Sequence, residues 1–579
     1  MKCLQNSKIN FIFHFTILSG LFLLLLSSLS FPFFTTASSI ETALAIDDPK
    51  IPIDEAITGG QGYELIGEIA DDWAGAHVYG VDDVNRDGYD DFVIGAFQQK
   101  PGGTGKAYLI LGRPASQWTS FSLSKANASF LGENVGDIFG RWIAKVGDVN
   151  NDGFDDFAIS AMANSESAPQ AGQTYLFFGG ATRPWALNTP LSQANASFLG
   201  EGAKDYSGHG VYGVGDTNSD GYDDFIISGE GNDEGGFNRG QAYLIFGRPT
   251  NSWSKDTPLN LAANASFIGI QNDSLLGFDA AGVGDVNNDG FSDFALGVFH
   301  PTDNKLADEN NDGFSDALFG VKRQVFLILG GSSPRWRMDL PISCANASFL
   351  FEELPSDGYT LSGDWLSGMG DVNQDGYDDF LVGTYRDSEG GEEAGKSYLF
   401  LGRPTNQWLL QNSSDVANAS FIGEAVHDWS GWSVAGAGDV NNDGYDDFII
   451  GACNLVDLGL FSGAKAYLFL GRSTNLWSKG FALLGADVTF SRQGVHSGFG
   501  IHVAGVGDVN NDGFDDFTIS ASHDDEAGRD AGKVYLLLGL FAPGTPSTTT
   551  DSEGLSYITP LGLTLSLVTI IWARKRRNY

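Results

Sequence analysis

Cysteine is nearly absent, with three residues in 579. Cys3 lies in the N-terminal leader, and Cys344 and Cys453 fall in different units of the repeat described below, so the chain is no disulfide scaffold. Positive charge is scarce as well. Lys and Arg number 33 against 73 Asp and Glu, giving a formal charge of −40 and excluding a nucleic-acid-binding surface. Catalytic signatures are missing. The eight histidines are scattered, and no Gly-x-Ser-x-Gly elbow, His-Glu-x-x-His pair or phosphate-cradling loop is present. An enzyme is not expected.

What the chain does have is one stretch written seven times. It begins as Asp83-Val-Asn-Arg-Asp-Gly-Tyr-Asp-Asp-Phe and restarts at Asp148, Asp216, Asp285, Asp371, Asp439 and Asp508. The intervals are 65, 68, 69, 86, 68 and 69 residues, a period that marks a repeat architecture. Oxygen-bearing side chains stand at positions 1, 3, 5 and 9, with Gly at 6 for the sharp bend and a main-chain carbonyl available at 7. Hard oxygens in that number and flexibility suit Ca²⁺ better than Mg²⁺.

The candidate ligands are Asp83, Asn85, Asp87, Asp91 and the Tyr89 carbonyl, then Asp148, Asn150, Asp152, Asp156 and Phe154. Asp216, Asn218, Asp220, Asp224 and Tyr222 make the third set, and Asp285, Asn287, Asp289, Asp293 and Phe291 the fourth. Asp371, Asn373, Asp375, Asp379 and Tyr377 follow, then Asp439, Asn441, Asp443, Asp447 and Tyr445, and finally Asp508, Asn510, Asp512, Asp516 and Phe514. A turn held by Asp and Asn on their own backbone is the competing explanation. Three carboxylates per loop, repeated seven times, favour the metal, because bare they would repel. Position 12 is Ile94 and the flanks are short apolar runs, so strands surround the loop rather than the helices of an EF-hand.

One unit, taken from the second repeat, reads as four strands: Trp142–Val146, Asp156–Ser160, Thr174–Phe178 and Ala196–Gly200. Four short strands per unit with Gly at the turns indicate propeller blades, giving an all-β, seven-bladed β-propeller of four-stranded blades. The fourth strand follows only the first six units, while a spare copy, Tyr63–Glu68, precedes the first loop. That spare strand is expected to complete blade 7 and close the ring.

The two ends read differently. Residues 1–45 are a signal segment, with Lys2 and Lys8 ahead of an apolar run and cleavage expected between Ala37 and Ala45. The propeller takes 46–540 and a polar stalk 541–556. A membrane anchor spans 557–573, with 17 uncharged residues, and 574–579 forms a basic cytoplasmic tail opening on Arg574-Lys-Arg-Arg577. The expectation is a single-pass cell-surface protein with the propeller outside.

The repeats resemble the FG-GAP family, the seven-bladed propeller of integrin α subunits. Phe139-Gly140 and Phe499-Gly500 carry the Phe-Gly half, Gly95-Ala96 and Gly451-Ala452 the Gly-Ala half. The resemblance implies Ca²⁺ in the seven loops on the lower face. There is no inserted adhesion domain or long β-sandwich leg, so integrin-type signalling is not implied.

The long fourth interval contains an eighth loop, with Asp308, Asn310, Asp312, Asp316 and the Phe314 carbonyl, between the second and third strands of blade 4. Strand alternation places it on the upper face, and up to eight Ca²⁺ are expected in all. Asn127, Asn195, Asn264, Asn346 and Asn418, each in Ala-Asn-Ala-Ser-Phe, are glycosylation candidates, as are Asn272 and Asn412. The expected role is adhesion or recognition of an extracellular protein or glycan. The alternatives are a structural envelope protein or the accessory propeller of a secreted hydrolase system. The second of these lacks room for a catalytic domain in 46–62 or 540–556.

Overall fold

The computed structural model describes residues 50–539, except 98–101, 183–184, 302–305, 308–316, 319–320, 333, 353–364, 411, 454–462 and 493–496. The leader, stalk, anchor and tail lie outside the described residues, as does the eighth loop. Among the described residues no helix is long and apolar enough to cross a membrane.

The chain opens with β1 (Lys50–Pro52), helix α1 (Ile53–Thr58) and β2 (Gly62–Ile66). Blade 1 follows as β3 (Val78–Asp82), β4 (Asp91–Ala96), β5 (Lys106–Ile110), β6 (Phe121–Ser122) and β7 (Ala128–Leu131). β3, β4, β5 and β7 form an antiparallel meander, hereafter strands A to D, and the metal-loop sequence joins A to B. The pattern repeats to give seven sheets, each of five strands, and the innermost strands touch their neighbours in an unbroken circle from blade 1 to blade 7 and back. The molecule is a seven-bladed propeller.

All six residues of β4 and all five of β5 are buried, because each blade is sandwiched between two others. That explains the continuous apolar runs. The core lies between blades: Val93, Leu109 and Phe130 of blade 1 pack with Phe157, Ile159 and Phe177 of blade 2. Small residues let the inner strands approach. A Cβ on Gly282 would sit 2.5 Å from the Gly213 carbonyl oxygen of the preceding blade.

The fifth strand of each sheet is absent from the four-stranded expectation. It is a short segment of the next blade lying parallel on the outer edge, as Thr189–Pro190 does on β7 and Thr257–Pro258 on the Ala196–Leu199 strand. Proline there removes an amide from the exposed edge and discourages further pairing.

Blade 7 has no strand D of its own among the described residues, and the N-terminus supplies it. β2 pairs antiparallel with Lys533–Leu537, in register from Gly62↔Leu537 to Ile66↔Lys533. The same segment serves blade 6: β1 runs parallel to Val488–Ser491 as its fifth strand. Between them, α1 inserts Ile53 and Ala56, each 1% exposed, into the cluster shared by blades 6 and 7.

Candidate metal centres

Each loop begins where strand A ends in a register shift, between Gly80 and Asp82 in blade 1 and Gly213 and Gly215 in blade 3. The chain then takes positive φ at position 4 (Arg86 at 59°, Asn151 at 54°) and at the position-6 Gly (Gly88 at 89°). That is why Asn, Ser or another polar residue precedes the Asp-Gly pair. The position-1 carboxylate wraps the turn: Asp83 accepts from the Asp87 amide at 3.0 Å and the Gly88 amide at 2.7 Å. Position 5 accepts from the amide of position 7, as Asp152 does from Phe154 at 3.2 Å.

Position 9 is fully buried in all seven loops. Asp156 accepts from the Gly179 amide at 2.8 Å with one oxygen, and from the Val149 amide and the Asn150 side chain, both at 3.2 Å, with the other. Burial pushes the Asp156 carboxyl up to about 9, and the charges of Asp152 and Asp148 add to it. Asp91, Asp293, Asp379, Asp447 and Asp516 rise to about 8 for the same reason. Asp224 reaches only about 7, held down by the Thr217 hydroxyl.

These loops therefore use their acids as turn-forming acceptors, and two features also fit a hard cation. Three carboxylates share each turn, and in three loops the position-3 amide oxygen is left over, whereas Asn150 and Asn373 accept from Thr250 and Thr474. Asn287 Oδ1, Asn441 Oδ1 and Asn510 Oδ1 are buried without a hydrogen-bond partner. A buried oxygen in that state is costly unless something positive meets it. Among the described residues no three His, Cys, Asp or Glu converge as a ready-made cage. The donor set thus needs the Asn oxygen and the position-7 carbonyl, as oxygen-rich calcium loops do.

Sequence reasoning missed position 8. There Asp223 accepts the amide of Asp148 on the preceding blade at 2.9 Å. Asp378, Asp446, Asp515 and Asp90 repeat this on Asp285, Asp371, Asp439 and Asp508 at 2.7 to 2.8 Å. The signal was the Asp-Asp doublet in six of the seven copies, Ser292 being the exception. The blade 1–2 boundary is built differently: Lys145 pairs with Asp82, and Arg86 stacks 5.7 Å over Phe154.

It also missed a second recurring unit. Arg113 lies 4.6 Å over Trp118, Arg248 4.6 Å over Trp253, Arg403 4.5 Å over Trp408 and Arg472 4.9 Å over Trp477. The Ala-Asn-Ala-Ser-Phe motif completes it. Asn127 Oδ1 accepts from the Leu111 amide and from Arg113, and Asn418 Oδ1 from the Leu401 amide and Arg403. Asn195, Asn264 and Asn346 cap the ends of their C strands in the same way. The Ser accepts from the next blade, as Ser129 does from the Asn188 amide at 2.8 Å. Blade packing uses the Oδ1 atom of this Asn and the hydroxyl of this Ser. Asn412 donates to the Leu409 carbonyl, and Asn272 is exposed.

In blade 4 the strands Leu306–Ala307 and Ala317–Leu318 pair antiparallel and bracket the eighth loop. Its ligand candidates, residues 308–316, lie outside the described residues.

Residues 139–177, 365–400 and 499–537 match the FG-GAP repeat, each covering strand A, the acidic loop and strands B and C. The chain carries FG-GAP repeats. Its relatives include integrin alpha-PS2 of Drosophila melanogaster, 30% identical over 179 residues, 29% of this chain and 11% of that protein. Integrin alpha-8 of Gallus gallus is 35% identical over 133 residues, 22% of this chain and 12% of that protein. Integrin alpha-IIb of Mus musculus is 32% identical over 157 residues, covering 26% and 14% respectively. The chain therefore spans only a small part of these relatives.

Proposed function

We propose that this FG-GAP propeller is a non-enzymatic, calcium-loaded recognition module held at the cell surface, binding an extracellular protein or glycan through the face opposite its seven acidic loops. One observation carries the reading. Ile69, Val135, Phe237, Ile270 and Val426 are 43% to 63% exposed, and all lie on D–A or B–C connections, which share that opposite face. These five give a partner apolar contacts on that face, while the remaining exposed apolar side chains, such as Leu261 and Leu409, lie on strand D or on C–D connections. Ca²⁺ would be held by positions 1, 3, 5 and 9 and the position-7 carbonyl, and bound there it neutralises the carboxylates of each turn.

The chain's exit supports the orientation. Strand C of blade 7 ends at Leu537, and just beyond it the Gly539 amide donates to Asp516 in the last acidic loop. A stalk at 541–556 and an anchor at 557–573 then leave from the loop face and point the apolar face away from the membrane. The eighth loop, with candidates Asp308, Asn310, Asp312 and Asp316, would belong to that outward face. Cells displaying the full chain are to be screened against extracellular proteins and glycans, with Val135→Asp and Val426→Asp beside the parent. The expected outcome is binding that both substitutions weaken about tenfold or more, an apolar anchor being worth a kilocalorie or two. A partner bound equally by all three proteins refutes the assignment of the face.

A further inference from the structure

The Ala-Asn-Ala-Ser-Phe motif presents one atom outward. In blades 1 to 5 the main-chain amide just beyond strand C donates to the Asn side chain at 3.0 to 3.1 Å: Leu111 to Asn127, Phe178 to Asn195, Phe246 to Asn264, Leu329 to Asn346 and Leu401 to Asn418. A main-chain amide only donates, so the atom that meets it is Oδ1, and Nδ2 points the other way. Arg113, Arg335 and Arg403 donate to the same Oδ1 atoms. Among the described residues no hydrogen bond uses the Nδ2 of these five side chains. Asn127, Asn195 and Asn264 are exposed, and Asn346 and Asn418 are half-buried. The amide after each capped one is the Gly that the position-9 Asp accepts, so the five Asn stand at the loop face.

The cap itself needs an oxygen, not an amide. In blade 6 Asp487 stands at this place and takes both the Leu470 amide, at 2.9 Å, and Arg472. In blade 7 the Leu538 amide goes to the Gln61 carbonyl. Five blades nevertheless carry Asn, each with Ser two residues on, the acceptor pattern for amide-linked glycans. Those Ser residues are 0% to 2% exposed. Ser129, Ser197, Ser266 and Ser420 accept amides of the next blade at 2.7 to 2.9 Å. An enzyme that reads the Ser therefore acts before the next blade covers strand D.

We infer that Asn127, Asn195, Asn264, Asn346 and Asn418 are glycan attachment sites, forming a belt of sugars around the loop-face rim of blades 1 to 5 and leaving blades 6 and 7 bare. The inference rests on the cell-surface placement proposed above. The sugar donor is a lipid-linked oligosaccharide. Nδ2 bonds to its C1, the C1–O bond to the lipid phosphate breaks, the phosphate leaves with the electron pair, and Nδ2 gives up one proton. The product keeps the Asn carbonyl, so each cap survives the modification. The bare sector includes blade 7, where the chain leaves the propeller after Gly539, and the belt stands clear of the opposite, apolar face.

The test is peptide mass spectrometry of the full chain recovered from its source cells, with intact cells treated with protease in parallel. Sugar-derived mass is expected on each of the five Asn. Asn127→Asp should lose the mass at its site, because Asp supplies the cap, as Asp487 does, but no nitrogen. Asp487→Asn, two residues before Thr489, should gain a glycan on blade 6. Five bare Asn in a chain that external protease cuts overturn the inference alone, as does an Asp487→Asn chain that gains nothing. A chain that protease cannot reach on intact cells refutes the surface placement, and the belt with it.

Discussion

At position 9 of each loop a carboxylate sits with no exposure and pays for that burial in protonation. The sign of the consequence depends on metal. Without it, the folded state holds these protons up to about pH 8 (about 9 for Asp156, about 7 for Asp224), whereas an unfolded carboxylate releases them near 4. The native protein therefore binds more protons across that window, and its stability falls as pH rises from about 4 to about 8. With Ca²⁺ bound the ionised form is the one required, and affinity grows with pH. The expected outcome is a metal-free melting temperature lower at pH 8 than at pH 5, with the order reversed in saturating Ca²⁺, read by scanning fluorimetry. Position 8 gives a second residue-level prediction. Asp446→Ala strips the acceptor from the Asp371 amide and should cost about 1–3 kcal/mol in urea unfolding. The turn at positions 1, 5 and 6 was legible because its hydrogen bonds are local, whereas position 9 also reaches the amide that follows strand C, as Asp156 does to Gly179. Position 8 was not, because the amide it serves belongs to another blade. The capping role of the Asn of Ala-Asn-Ala-Ser-Phe was hidden for the same reason: its partners, such as Leu111 and Arg113, are on another strand and turn.

Among the elements, the N-terminal segment does the most with the fewest residues. β2 was readable in advance, since Glu64-Leu-Ile-Gly-Glu68 repeats the strand-D pattern of Ser129-Phe-Leu-Gly-Glu133. β1 and α1 were not. A three-residue edge strand has no periodicity, and its partner, Val488–Ser491, lies near the other end of the chain. The two-residue fifth strands of the other blades escaped notice likewise. Deleting residues 50–58 while keeping β2 should therefore destabilise the propeller, although blade 7 retains its four strands. Losing Ile53 from the blade 6–7 core alone costs about 1.5–3 kcal/mol, and uncapping blade 6 adds to it. Differential scanning calorimetry of that deletion checks the point: a melt superimposable on the parent's would mean that β1 and α1 contribute nothing to closure.

At the scale of the whole molecule, the blade count followed from the period, and closure from the spare strand D. The contact circle of inner strands shows both. What the period could not show is how seven blades with so little covalent bracing are fastened. The structure supplies interblade aromatic cores, position-8 straps, Ser-to-amide bridges and an N-terminus spanning two blades. On this reading the remaining fastening is ionic, with a cation in each acidic turn offsetting part of the −40 charge that otherwise strains the ring. The most direct test is the metal content of the purified full chain by mass spectrometry, coupled to its melting in Ca²⁺ and in excess chelator. The account predicts about seven or eight tightly held calcium ions and a melting temperature lowered by about 10 °C or more when they are removed. A chain that carries no divalent metal and melts identically in chelator contradicts it.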